Sequence, residues 1–273
     1  MSTPTEVVIE PARRWPRPRL AELWENRELA FFLVLRNLKA LYRQTFIGVA
    51  WSLFRPLVTT VIFTIFIRLV KVPTLGIPAP LFVLSGLLPW TFFANSVYWG
   101  SLSLVVNAPL VTKIYFPRIV LPLANVLTES VDLVLSLVLL AVLSAVYGVA
   151  LGAEVLLLPV LLLWLIVTCL SVTLWLAAIN VRYRDVAFIV PFMIQIWLYL
   201  TPVIYPGQLI PEWGRWAYAL NPMVGVVESF RWALVGGPAP TSFIGPSLAV
   251  VVVLVVTGWW YFSRTEQTFA DVI

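Results

Sequence analysis

The stretch RNLKALYRQTFIGVAWSLFRPL, residues 36 to 57, joins a basic amphipathic segment to an apolar one without a linker. Read as one helix over 28 to 47, it brings Arg36, Lys39 and Arg43 onto one face by spacings of three and four. Phe31, Val34, Leu35, Leu38, Leu41 and Tyr42 then fall on the opposite side. Such a helix lies in the headgroup region with its cations toward lipid phosphates or an adjoining cytosolic protein. Gly48 can release the chain into an apolar run that carries Arg55 and Pro56. A plain membrane anchor would read the same way, so the junction locates the chain without saying what it does.

The rest of the sequence makes the location firm. Of 273 residues, 61% are hydrophobic and only 11% charged, outside the range of a globular domain and inside that of a polytopic membrane protein. Hydropathy sets six runs, at roughly 49 to 70, 80 to 106, 120 to 148, 154 to 179, 186 to 205 and 243 to 262, each of about 20 residues or more. The expected fold is therefore all-α, with six transmembrane helices, an N-terminal amphipathic interface helix over 25–48, and two short outer helices between spans five and six. Residues 1–24 read as a disordered, Pro- and Arg-rich cytosolic tail and 49–273 as the membrane domain. Six spans put both termini on one side, with Lys113, Arg118, Arg182, Arg184, Arg264 and the N-terminal arginines. The other side holds only Arg68, Lys71, Arg215 and Arg231. The positive-inside rule makes the first side cytosolic. The net charge of +5 suggests contact with anionic lipid and carries no nucleic-acid footprint.

Inside the spans two groupings stand out. Trp90, Phe92 and Phe93 on the second span, Trp197 and Tyr199 on the fifth, and Phe63 and Phe66 on the first lie away from the interfaces where an aromatic belt would sit. They either pack between helices or line a path. The third span carries Asn125, Glu129, Asp132 and Ser136 at spacings of four, three and four, one polar stripe on one face. Carboxylates in hydrocarbon cost several kcal/mol, so the stripe should face the bundle interior, with Arg55 at comparable depth as its partner. Interhelical pairing and a proton or substrate site both remain open for it.

Between spans five and six, Pro211 with Glu212 can start a helix carrying Trp213 and Trp216 through Leu220. Asn221 and Pro222 supply the cap and first-turn proline of a second helix bearing Phe230 and ending at Gly236-Gly237-Pro238. At roughly 14 and 20 Å these helices are too short to span, and either dip back into the membrane or cover an opening, or lie on lipid as a surface cap. The loop between spans two and three sets Tyr115 and Phe116 between Lys113 and Arg118, a headgroup anchor or a knob for a soluble partner.

Several chemistries have no residues to support them. There is no G-x-x-x-x-G-K-[ST] loop, so ATP cannot be hydrolysed by that route; histidine is absent, and the single cysteine, Cys169, leaves no disulfide framework or metal cluster. No D-x-D pair or hydrolase elbow appears either, and catalysis by this polypeptide is not expected.

Six stretches complete the reading: LKALYRQTFIGVAWSLFRPL at 38 to 57, GLLPWTFFANSV at 86 to 97, KIYFPRIVLPLANVL at 113 to 127, NVRYRDV at 180 to 186, TPVIYPGQLIPE at 201 to 212 and LNPMVGVVESFRWALVG at 220 to 236. In this order they resemble the permease subunits of bacterial polysaccharide ABC exporters, which export O-antigen, wall teichoic acid and related lipid-linked glycans. The resemblance implies a homodimer in the bacterial inner membrane that binds two copies of a cytosolic ATPase, which would hold the ATP and magnesium. It makes Arg36, Lys39, Arg43 and the Lys113–Arg118 loop, with Tyr115 and Phe116, the ATPase-coupling elements. Pro211, Trp213, Trp216, Asn221, Pro222 and Phe230 become the outer gate, and the first, second and fifth spans line the channel. A proton-coupled glycan flippase using Glu129 and Asp132 is the alternative. The short chain, the missing histidines and the lack of visible inverted repeats stand against it.

Overall fold

A computed structural model describes residues 20–42, 50–150 and 152–273; Arg43, Gly48 and most of the N-terminal tail lie outside the described residues. Helices α1 (Leu20–Glu25) and α2 (Arg27–Tyr42) precede α3 (Ala50–Val70) and α4 (Ala79–Val106). The short α5 (Ala108–Lys113) leads to α6 (Val120–Val146), α7 (Leu158–Arg182) and α8 (Val186–Tyr199). Then come α9 (Glu212–Tyr218), α10 (Pro222–Val235), α11 (Thr241–Thr265) and the terminal turn α12 (Phe269–Val272). The chain is an all-α polytopic membrane protein, and among the described residues five helices, α3, α4, α6, α7 and α11, are long and apolar enough to cross.

The expected fifth span is shorter than its hydropathy. α8 has 14 residues, about 21 Å of helix. Pro202 disfavours the α conformation at Thr201 and removes a backbone donor, and Pro206 follows, so residues 200 to 206 continue as irregular chain. Hydropathy registers apolar side chains and cannot see this break.

α4 is the central rod. It packs against α3, α6, α7, α8 and α10, and it is buried continuously from Leu81 to Trp90. α3 beside it turns Ser52, Thr60, Thr64 and Ile67 inward and leaves Val61, Ile62, Ile65, Phe66 and Leu69 exposed. That polarity is inverted relative to a water-soluble helix. Lipid tails are as apolar as leucine, so small and weakly polar side chains pack the helices together while the apolar ones face out.

A second core closes the end that carries both described termini. Leu33 of α2, Leu104, Val111, Phe116, Leu121, Val181, Phe262 and Phe269 meet there. α2 lies against α6 with Leu33 buried, whereas Phe31 and Leu41, expected on the face opposite the cations, are exposed together with Phe32 and, in α1, Trp24. The contact follows the Leu29–Leu33 edge of the helix, so its apolar residues divide between core and surface.

Close approach of α10 and α11 depends on Gly225. A Cβ there would stand 2.8 Å from the Ser247 Cβ and 2.9 Å from the Trp164 ring, and the Gly225 N–H donates to Ser247 Oγ at 3.1 Å. We expect Gly225→Ala to destabilise the protein by about 1–3 kcal/mol through overpacking. Gly245→Ala, where a Cβ meets nothing, should be neutral or slightly stabilising. Thermal unfolding of the two detergent-purified variants measures both.

Candidate functional site

The irregular segment after α8 is held inside the bundle. Thr201, Pro202, Val203, Pro206 and Gly207 are buried, and Val203 sits against Gly86, seven residues into α4. Backbone at that depth has no water to bond, so its polar groups need protein partners. α10 supplies them. Arg231 Nη2 donates to the carbonyls of Pro202 (2.7 Å) and Val203 (3.0 Å), and its Nη1 donates to Glu228 Oε1 (2.9 Å). The same Glu228 oxygen accepts the Gly207 N–H at 2.9 Å.

Arg231 is 0% exposed and Glu228 1%. The guanidinium rests 4.0 Å from the centroid of the Phe82 ring, a cation–π contact in a desolvated site. Gly86 makes the approach possible, since a Cβ there would lie 2.7 Å from both Arg231 Nη2 and the Val203 carbonyl. Three donors aimed in one plane at two carbonyls and a carboxylate call for arginine; an ammonium has no such fork.

Asn221 ties the next joint. Its Oδ1 accepts from Met223 N (3.0 Å), which makes it the N-cap of α10, and from Trp197 Nε1 (2.9 Å). Its Nδ2 donates to Leu200 O and to Thr201 Oγ1, both at 3.0 Å. Two accepted and two donated bonds use the amide fully. Ser247 of α11 then donates to Ala219 O at 3.0 Å. The turn between α9 and α10 therefore reaches a residue six positions inside α11, about 9 Å along that helix. Beyond it Tyr218 donates to Tyr205 (3.1 Å) and Tyr205 to Tyr199 O (2.9 Å).

The expected outer-gate residues divide accordingly. Pro211 precedes α9, whose Trp213 and Trp216 are exposed; Asn221 and Pro222 start α10, whose Phe230 is buried. α10 packs between α4, α7 and α11 and does not lie on the surface. The expected channel aromatics divide as well. Trp90, Phe92 and Phe93 are buried within the chain, and Phe93 meets Trp197 edge-on at 5.0 Å. Phe63 is partly buried, while Phe66 and Tyr199 are exposed.

In the polar stripe, Glu129 is buried with Asn95 within hydrogen-bonding reach and Asp132 and Arg55 as its charged neighbours. Asn125 continues the stripe toward α2, accepting from Asn37 Nδ2 in a long 3.4 Å contact. At the terminal end Arg36 and Lys39 are exposed, and Arg36 Nη2 donates to Asn107 Oδ1 at 2.8 Å, at the junction of α4 and α5. Lys113 is exposed, Tyr115 is 90% exposed, and Phe116 is buried as the anchor of the loop. Arg118 is turned to Glu266, which accepts its N–H at 2.8 Å on Oε1 and its Nη1 at 2.9 Å on the backbone carbonyl.

Glu228, Arg231 and Gly86 went unseen in the sequence reading, which counted Arg231 as a charge of the outer side. A signal existed. A Glu and an Arg at i and i+3 in an otherwise apolar helix are expensive in membrane unless they pair.

These features define a multi-pass membrane subunit: a polytopic helical bundle with a buried hairpin at one end and an exposed tyrosine loop at the other. Residues 28–235 match the ABC-2 type transporter family, and the chain belongs to that family. It is 36% identical over 261 residues to the O-antigen export system permease protein RfbA of Myxococcus xanthus, covering 92% of this chain and 98% of that protein. Two proteins of the same name from Klebsiella pneumoniae are each 26% identical, over 250 and 248 residues, covering 90% of this chain and 95% of each.

Removing one member of the buried pair should cost about 3–5 kcal/mol by stranding the other charge. Arg231→Met and Glu228→Gln are expected to lower the unfolding midpoint sharply and to reduce export. Arg231→Lys should recover only part of the loss, which a thermal-stability series across the three variants will show.

Proposed function

We propose that this permease is the channel-forming half of an exporter that moves a lipid-linked, O-antigen-like polysaccharide across the bacterial inner membrane, driven by a separate ATPase. Two copies of the chain form the channel, two ATPases bind at the cytosolic face, and both termini lie in the cytosol. The observation that carries this reading is the near end-to-end similarity to three O-antigen export permeases. Two features of the chain agree with it. α3 and α8 both pack on α4 and leave Phe66, Phe188, Phe192 and Tyr199 exposed, aromatic surface suited to a second copy and to a sliding glycan. The terminal end bears Tyr115, Lys113, Arg36 and Lys39 outward, as a partner surface requires.

On this reading, ATP-driven closure of the partner displaces the α5 loop and α2, and the bundle shifts between closed and open populations. The chain's own residues perform no bond chemistry. They hold the gate, present the coupling knob and surround the passing glycan.

Proteoliposomes carrying the permease and its ATPase test the proposal. Export should require ATP, and Tyr115→Ala should lower it severalfold while both subunits still copurify. Transport sustained by a proton gradient without ATP, and abolished by Glu129→Gln, would instead establish the flippase alternative.

A further inference from the structure

The α5 loop is fastened at both ends, and its second fastening lies outside every element assigned to coupling above. At its start, Asn107 accepts from Arg36 of α2. At its end, Arg118 spends its backbone N–H and its guanidinium Nη1 on Glu266, the residue that follows α11. Phe116 is buried beside this bond in the core that also holds Phe262 and Phe269, and those two rings meet edge-on at 5.3 Å. α12 packs onto α5 itself. Tyr115, almost wholly exposed, thus stands on a loop gripped by α2 on one side and by the 266–273 segment on the other.

We infer that the segment after α11 is a second transmission arm, in which Glu266 is a positioning residue that passes displacement of the Tyr115 loop directly into α11. The inference rests on the reading of this face as the ATPase-docking face. Its physical basis is the number and kind of the bonds. Glu266 and Arg118 make two charge-assisted hydrogen bonds of 2.8 and 2.9 Å and α12 packs on α5, whereas among the described residues Arg36 of α2 makes one such bond to the loop, at Asn107. α11 in turn reaches the gate turn through Ser247. A push on Tyr115 therefore meets a stiffer connection toward α11 than toward α2.

The test compares Glu266→Ala, Glu266→Gln and Tyr115→Ala in the reconstituted permease–ATPase complex, reading copurification, ATP hydrolysis and glycan exported per ATP hydrolysed. Glutamine keeps an oxygen for the Arg118 N–H, and alanine keeps none. The expected result for Glu266→Ala is an assembled complex that hydrolyses ATP but exports about fivefold less per ATP or worse, the scale of an allosteric coupling. Glu266→Gln should restore most of the ratio. An unchanged ratio in Glu266→Ala, with Tyr115→Ala impaired, overturns the inference while leaving the docking face intact. Normal export by Tyr115→Ala as well would overturn the docking reading itself. Failure of Glu266→Ala to copurify, or an equal loss in alanine and glutamine variants, would assign Glu266 to folding or assembly and also overturn the inference.

Discussion

Irregular backbone inside a membrane-embedded bundle has to find every hydrogen bond within the protein, and this constraint organises the far half of the molecule. The chain leaves helical geometry after Tyr199 because of Pro202 and Pro206, exposing carbonyls and N–H groups where no solvent reaches. A fully apolar α10 could not satisfy them. The Glu228–Arg231 pair can, since it carries charge-assisted donors and acceptors on one turn and its opposite charges offset each other's desolvation. Buried ion pairs are often no better than apolar packing for stability. Here the alternative is stranded backbone, so the pair is stabilising in its context. Gly86, Phe82 and Asn221 are consequences of the same need, giving room, a π face and a cap.

The hairpin formed by these elements is therefore not a loose flap. α8, the irregular segment, α9 and α10 share side-chain hydrogen bonds through Asn221, Arg231, Glu228 and the Tyr205–Tyr218 pair, and Ser247 fastens them to α11. Any motion of the hairpin has to carry the end of α8 with it or break several buried bonds together. Movement of this whole unit costs less than a hinge inside it.

Much of this was readable from residues alone, because it depends on local pattern. Apolar runs located the long helices, Asn221-Pro222 and Gly236 marked the ends of α10 correctly, and a left-handed Gly236 at φ 70° is the expected stop. The extent of α8 was not readable, because hydropathy over 186 to 205 is continuous across two prolines. The role of the aromatics was open for a similar reason. Trp90 and Phe93 have the same composition whether they face a neighbour helix or a path, and only the rotation of α4 decides. Arg231 was hidden by a rule that works on average: basic residues beyond a span are loop charges unless a broken helix nearby needs a donor.

Two centres of polar bonding stand at opposite ends of the bundle, and α4 and α11 each reach both. α4 places Gly86 against Arg231 and Asn107 against Arg36; α11 places Ser247 against the turn between α9 and α10 and precedes Glu266. α4 is enclosed by five other helices, so its rotation or translation would disturb most of the core. α11 carries Val252, Val253 and Val256 on an exposed side and packs chiefly on α7 and α10. Displacing α11 breaks fewer apolar contacts than displacing α4. Close-packed interiors transmit a displacement instead of absorbing it, so of two rods joining the same ends, the peripheral one is the cheaper to move. That difference in packing, and not distance from the α5 loop, makes α11 the less encumbered of the two rods.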